Sequence, residues 1–113
     1  MLTIKQIPPL VEAEEVLVPD PEVVVKTGYT SDLLSDVMAN APEDSVLITI
    51  QAHKNTIAVA ILTGIRVVLV CNNRPIPEDM VEAAAQEGIA ILRTSRNQFE
   101  CSGILYQALD ASS

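Results

Sequence analysis

Short apolar blocks alternate along the chain with polar loops and with segments of helical periodicity. Val67 to Val70 and Ile89 to Leu92 are continuous aliphatic runs, and Val46 to Ile50 is one interrupted by Thr49, the pattern of strands buried on both faces. Glu15 to Val18 and Val23 to Val25 predict two briefer strands, the first closed by the turn Pro19-Asp20-Pro21. Between the long runs the period changes to that of a helix. Leu33, Leu34, Val37, Met38 and Ala41 share one helical face, with Ser31 as cap, Asp32 as first-turn acid and Pro42 as stop. A second helix is predicted from an Asn55 cap to Thr63, ended by Gly64, and a third from Pro77 to Glu87, ended by Gly88. Asn97 and Glu100 form a capping-box pattern before a last helix whose inner face would be Phe99, Ile104, Leu105, Ala108 and Leu109. Residues 1–12 predict a short helix or turn broken by Pro8-Pro9, and residues 110–113 a frayed tail.

Strands alternating with helices over short loops imply an α/β fold: a small three-layer α/β/α domain with a mostly parallel sheet, spanning 1–113 as one unit. Right-handed crossovers are expected, whereas strand order stays open because the first two strands are short. The segment Thr56 to Leu62 is apolar nearly all round. A helix of that kind is covered on every side, and in so small a domain one cover would be a second copy, so a homodimer is expected.

Composition narrows the partners. With 15 acidic against 7 basic residues the net charge is −8, which disfavours nucleic acid and anionic membrane surfaces. The acids gather at Glu12 to Glu22 and Glu78 to Glu87, where solvated faces are the plain reading and a basic partner surface the other. The start, Met1 to Lys5, has no basic leader or long apolar region, and no apolar run is long enough to cross a bilayer, so a cytoplasmic protein is expected. Cys71 and Cys101 lack metal or redox spacing and are expected to be reduced, half-buried packing residues.

Candidate chemistry gathers where parallel strands end, since ligands of α/β sheets bind beyond the carboxyl ends of the strands. Ser31 and Asp32 follow the second strand, Gln51, His53 and Asn55 the third, Asn72 the fourth, and Thr94 with Ser95 the last. Each loop feeds a helix N-terminus, where free N–H groups favour an anion. His53, the single histidine, is either a general base or switch, or a loop residue that helps to cap the next helix. Asp32 is either an anchor for a ligand hydroxyl or proton, or a helix-start acid. Gln51 and Asn72 suit reading a polar ligand edge and equally suit tying loops together. Thr94-Ser95, beside Arg93 and Arg96, is either a phosphate cradle or turn chemistry. No multi-histidine metal set, dinucleotide fingerprint, phosphate loop or nucleophile elbow is present, so no cofactor, metal or catalytic set is expected.

Several separated stretches resemble DRTGG domains: Gly28-Tyr29-Thr30-Ser31-Asp32-Leu33-Leu34-Ser35-Asp36-Val37, Val46 to Asn55 with Ala58-Val59-Ala60, Asn73 to Pro77, and Glu87-Gly88-Ile89 through Thr94. The similarity runs from about Leu2 to Leu109. It departs in the segment that names the family, which reads Val25-Lys26-Thr27-Gly28-Tyr29 and lacks the acid and the second glycine. The resemblance implies a three-layer α/β/α regulatory domain, often dimeric. Such domains accompany the kinase of the phosphocarrier protein, phosphotransacetylases and CBS pairs in pyrophosphatases, and occur alone near iron-only hydrogenase systems. It carries no catalytic residues over to this chain. The expected function is therefore a non-catalytic regulatory or small-ligand-binding homodimer sensing a nucleotide or phosphorylated metabolite. The alternatives are a small acid–base enzyme using His53 and Asp32, or a structural partner of a kinase or hydrogenase-related protein.

Overall fold

The aliphatic runs pair into one sheet. In the computed structural model, which describes residues 1–111, β2 (Glu14–Leu17), β4 (Thr27–Thr30), β5 (Ser45–Thr49), β6 (Val67–Val70) and β7 (Ala90–Arg93) form a five-stranded sheet of order β2-β7-β6-β5-β4. β4 to β7 are parallel and β2 is antiparallel to β7. A separate two-stranded ribbon joins β1 (Leu2–Thr3) to β3 (Val24–Val25).

Helices follow from the strand order. β4, β5, β6 and β7 lie side by side in chain order, so successive crossovers of one hand place α2 (Leu34–Asn40), α3 (Lys54–Thr63) and α4 (Glu78–Glu87) on the same face. The opposite face is covered by α1 (Ile7–Val11) and α5 (Gln98–Ala111). This is the expected α/β/α sandwich. Strand alternation divides the core between the faces. The register row Val46, Val67 and Ala90 lies against α5, and the next row, Leu47, Val68 and Ile91, lies against α3 and α4.

Several local expectations are corrected. Pro8 and Pro9 do not break the first helix; they occupy the first turn of α1, where a missing N–H costs nothing. Thr27–Thr30, outside every expected strand, is the edge strand β4 paired to β5. β2, β5 and β7 are displaced by one residue from their expected runs. Neither Ser31 nor Asp32 starts α2: its N-cap is Leu33, and its first-turn acid is Asp36. Only Val37 of that helix is fully buried, while Leu33 and Met38 face solvent. Asn55 is not the cap of α3, because His53 takes that place. Pro77 is the N-cap of α4 rather than part of its first turn. Phe99 is 88% exposed; the inner row of α5 is Cys101, Leu105 and Leu109, spaced by four, and Phe99 sits on the far side of that turn. α5 continues through Ala111, so the expected tail is helical at 110–111, and 112–113 lie outside the described residues. Within the single chain α3 buries Thr56, Ile57 and Ala60 and leaves Ile61 and Leu62 at 44% and 71% exposure, the side on which a second copy is expected. Cys71 and Cys101 are wholly buried, not half-buried.

The Asn97–Glu100 capping box forms as expected, with each backbone N–H donating to the other's side chain at 3.2 and 2.9 Å. Gly64 and Gly88 end α3 and α4 in the left-handed conformation, which glycine adopts without a side-chain clash.

Candidate functional site

Four parallel strands deliver their trailing loops to one edge of the sheet, and backbone bonds stitch those loops together. Ser31 N–H donates to Ile48 O, Cys71 N–H to Thr49 O, Thr94 N–H to Val70 O, and Asn72 N–H to Arg96 O. Asn72 and Asn73 reach their positions through φ of 61° and 51°, the left-handed region that asparagine tolerates better than most residues.

Asp32 is the hub of this edge. Its Oδ1 accepts from the Thr49 hydroxyl, the Ile50 N–H and the Gln98 side-chain amide, each at 2.9 Å. Its own carbonyl accepts from Gln51 Nε2 at 2.9 Å. One carboxylate thus joins the loop after β4, the end of β5 and the first turn of α5. Bonds to a charged acceptor are the stronger kind, so a half-buried carboxylate is well used here. Thr49 and Gln98, partners of this hub, carry no motif in the sequence; only proximity across the fold reveals them.

The other expected site residues divide into engaged and open ones. Ser31 Oγ accepts from Leu33 N–H at 3.2 Å, a local turn. His53 Nδ1 accepts from Asn55 N–H at 3.0 Å and caps α3, and the residue is exposed. Thr94 is buried, donating to Val11 O at 2.7 Å and accepting from Arg96 N–H at 3.1 Å. Asn55, Asn72 and Ser95 are exposed. No hydrogen bond joins His53 to Asp32 among the described residues. The guanidiniums near Thr94-Ser95 already have carboxylates: Arg93 bonds Glu14, and Arg96 bonds Glu12 and Glu100.

The helix starts differ in what they offer an anion. First-turn acids stand in α2 (Asp36), α4 (Glu78, Asp79) and α5 (Glu100), where they already answer the helix dipole. α3 has none, and it begins with Lys54.

Titration is perturbed at the Tyr29–Asp36 pair and at the buried thiols. Asp36 lies below the ordinary carboxylate range because Asn40 and Tyr29 donate hydrogen bonds to it, and the Tyr29 phenol is raised by that same carboxylate. The buried Cys71 thiol is pushed up by its hydrogen bond with Cys101 and by burial. No group of three or more His, Cys, Asp or Glu that could hold a metal occurs among the described residues. Nor is any helix among them long and apolar enough to cross a membrane.

No family model matches the chain. A stretch of 44 residues is 48% identical to HPr kinase/phosphorylase of Streptococcus uberis, covering 39% of this chain and 14% of that protein. The fold is similar to the crystal structure of the CBS and DRTGG domains of the regulatory region of Clostridium perfringens pyrophosphatase, complexed with the activator diadenosine tetraphosphate. There the TM-score is 0.77 at 15% identity, over 94% of this chain and 46% of the other. At that identity the likeness is one of fold. The two findings fit a DRTGG domain, the family whose motifs the sequence resembles.

Proposed function

We propose that this DRTGG-type chain is a non-catalytic regulatory domain that acts as a homodimer and senses a nucleotide or phosphorylated metabolite at the carboxyl edge of its sheet. The observation that carries the reading is the Asp32 clamp, which holds the edge loops as one rim. On that rim His53, Asn55, Asn72 and Ser95 stay exposed, and polar groups on a prearranged frame bind with less loss of conformational freedom. The start of α3, with Lys54 and no first-turn acid, is the place on the rim that an anion finds most favourable. The similar clostridial regulatory region is complexed with a nucleotide activator, which supports a ligand of that class. This chain spans under half of that protein, and its match spans about a seventh of the kinase. The dimer rests on Ile61 and Leu62, exposed on α3. A partner protein of the kinase or hydrogenase type would be the listener.

The test is a melting screen against nucleotides and phosphorylated metabolites. A ligand at a hundred times its Kd adds about 2.7 kcal/mol, and His53→Ala or Asn72→Ala removes the shift. A panel that leaves the midpoint still overturns the reading. Light scattering checks the dimer: Leu62→Glu is expected to yield monomers, and a wild-type monomer at high concentration refutes self-association.

A further inference from the structure

Away from the carboxyl edge, a cavity of about 350 Å³ opens between the edge strand β4 and α5. Its strand wall is Lys26, Thr27, Gly28 and Thr30; its helix wall includes Ser102 and Tyr106; Ile48 and Leu105 form the floor. Nothing in the fold fills it, because β4 is the last strand of the sheet and Gly28 has no side chain to place there. Its size falls within the range of small-molecule sites, roughly 300–1,000 Å³.

We infer that this cavity is a second ligand site, shaped for a nucleoside monophosphate. Four features select that class. The ring of Tyr106, 76% exposed at the rim, together with the Leu105 floor, suits a flat heterocycle. Lys26 supplies one cation, held at 3.6 Å from Asp44 and more than half exposed, so it can turn to a phosphate. The hydroxyls of Thr30 and Ser102, 2.7 Å apart, tie strand to helix beside the space a ribose would take. Asp110 also lines the cavity, and a carboxylate there disfavours a second or third phosphate. In a chain of net charge −8 a bare phosphate gains too little from one lysine, so stacking has to supply part of the affinity. The segment involved, Lys26-Thr27-Gly28, lies within the stretch that departs from the family pattern.

The probes are adenosine 5′-monophosphate, adenosine and adenosine 5′-triphosphate, followed by melting temperature and by tyrosine fluorescence, which is readable because the chain has two tyrosines and no tryptophan. The monophosphate is expected to quench the fluorescence and raise the midpoint. Adenosine and the triphosphate should bind more weakly, adenosine by about tenfold or more, as for loss of a charge-assisted hydrogen bond. Lys26→Ala should make the monophosphate bind like adenosine. Gly28→Val is the decisive variant. A Cβ at residue 28 stands 3.4 Å from Val46 Cγ1, an ordinary contact, and valine suits a strand. The variant should therefore fold, narrow the cavity beside the strand wall and abolish binding. No response to the monophosphate overturns the inference. So does binding that survives Gly28→Val but is lost in His53→Ala; that outcome would place the ligand at the carboxyl edge and leave the earlier proposal standing. Loss in Gly28→Val with His53→Ala unaffected supports the cavity and withdraws this ligand from the edge.

Discussion

The carboxyl edge and the β4–α5 cavity both collect polar side chains beside a sheet, yet they use them differently. At the edge, Asp32, Thr49, Gln51, Thr94 and Gln98 bond to one another or to backbone. At the cavity, Lys26 holds only a long, exposed ion pair, and Thr30 and Ser102 share one exposed bond. The edge must satisfy backbone groups that strands abandon at their ends, so its polar residues are drawn into structure. The cavity flanks the outer strand of the sheet, so Lys26, Thr30 and Ser102 are not called on to satisfy strand-end backbone groups. A polar residue at a strand end is thus a weaker sign of ligand binding than its place in the fold suggests, unless its side chain is left outward as in His53, Asn72 and Ser95.

Substitutions should widen that contrast. Asp32→Ala removes one acceptor shared by three donors, and we expect a loss of about 3 kcal/mol in urea unfolding; a loss near zero would show that the clamp is replaceable by water. Thr94→Val deletes a buried hydroxyl bonded twice, at an expected cost of about 1–2 kcal/mol in the same assay. His53→Ala removes the α3 cap and should cost about 1 kcal/mol. Lys26→Ala, in the cavity wall, should change stability by less than about 0.5 kcal/mol, since exposed pairs contribute little.

The smallest expected effect belongs to the Tyr29–Asp36 pair, whose hydroxyl–carboxylate bond measures 2.9 Å near the start of α2. The folded-state pKa of Asp36 is depressed, so its contribution is present above the unfolded carboxylate pKa and lost as pH falls through the folded one. That of Tyr29 is raised, so its contribution is present below the unfolded phenol pKa and lost as pH rises through the folded one. Wild type and Tyr29→Phe should therefore differ in midpoint across the neutral range and converge at both extremes; a constant difference from acid to alkaline pH would contradict this. The buried thiols offer a separate check. Cys71 and Cys101 should resist a disulfide reagent in the native state and react on unfolding.

Much of the fold could be read locally, because continuous aliphatic runs and capped helices carry their own signatures. Gly64, Gly88 and the Asn97–Glu100 box marked helix ends where the backbone itself demands those residues. β4 has no local signature, because Thr27-Gly28-Tyr29-Thr30 has no apolar run; it is a strand because β5 lies beside it. The hydrophobicity of Phe99 does not fix its face; the register of α5 does, and it puts Cys101, Leu105 and Leu109 inward. For the candidate site, the strand-end rule located Asp32, Gln51, His53 and Thr94, but it could not separate clamps from open groups. That distinction depends on partners such as Gln98, 66 residues away from Asp32 in the chain.

The amino-acid order alone determined that strands and helices alternate, that the strands are buried, and that their loops would share an edge, since periodicity, capping and burial are properties of neighbouring residues. Only the folded chain decided which helices cover which face, that Asp32 is a clamp, and that a cavity opens beside Gly28. Those depend on strand order and on contacts between residues far apart in the chain, and no local pattern encodes a distance.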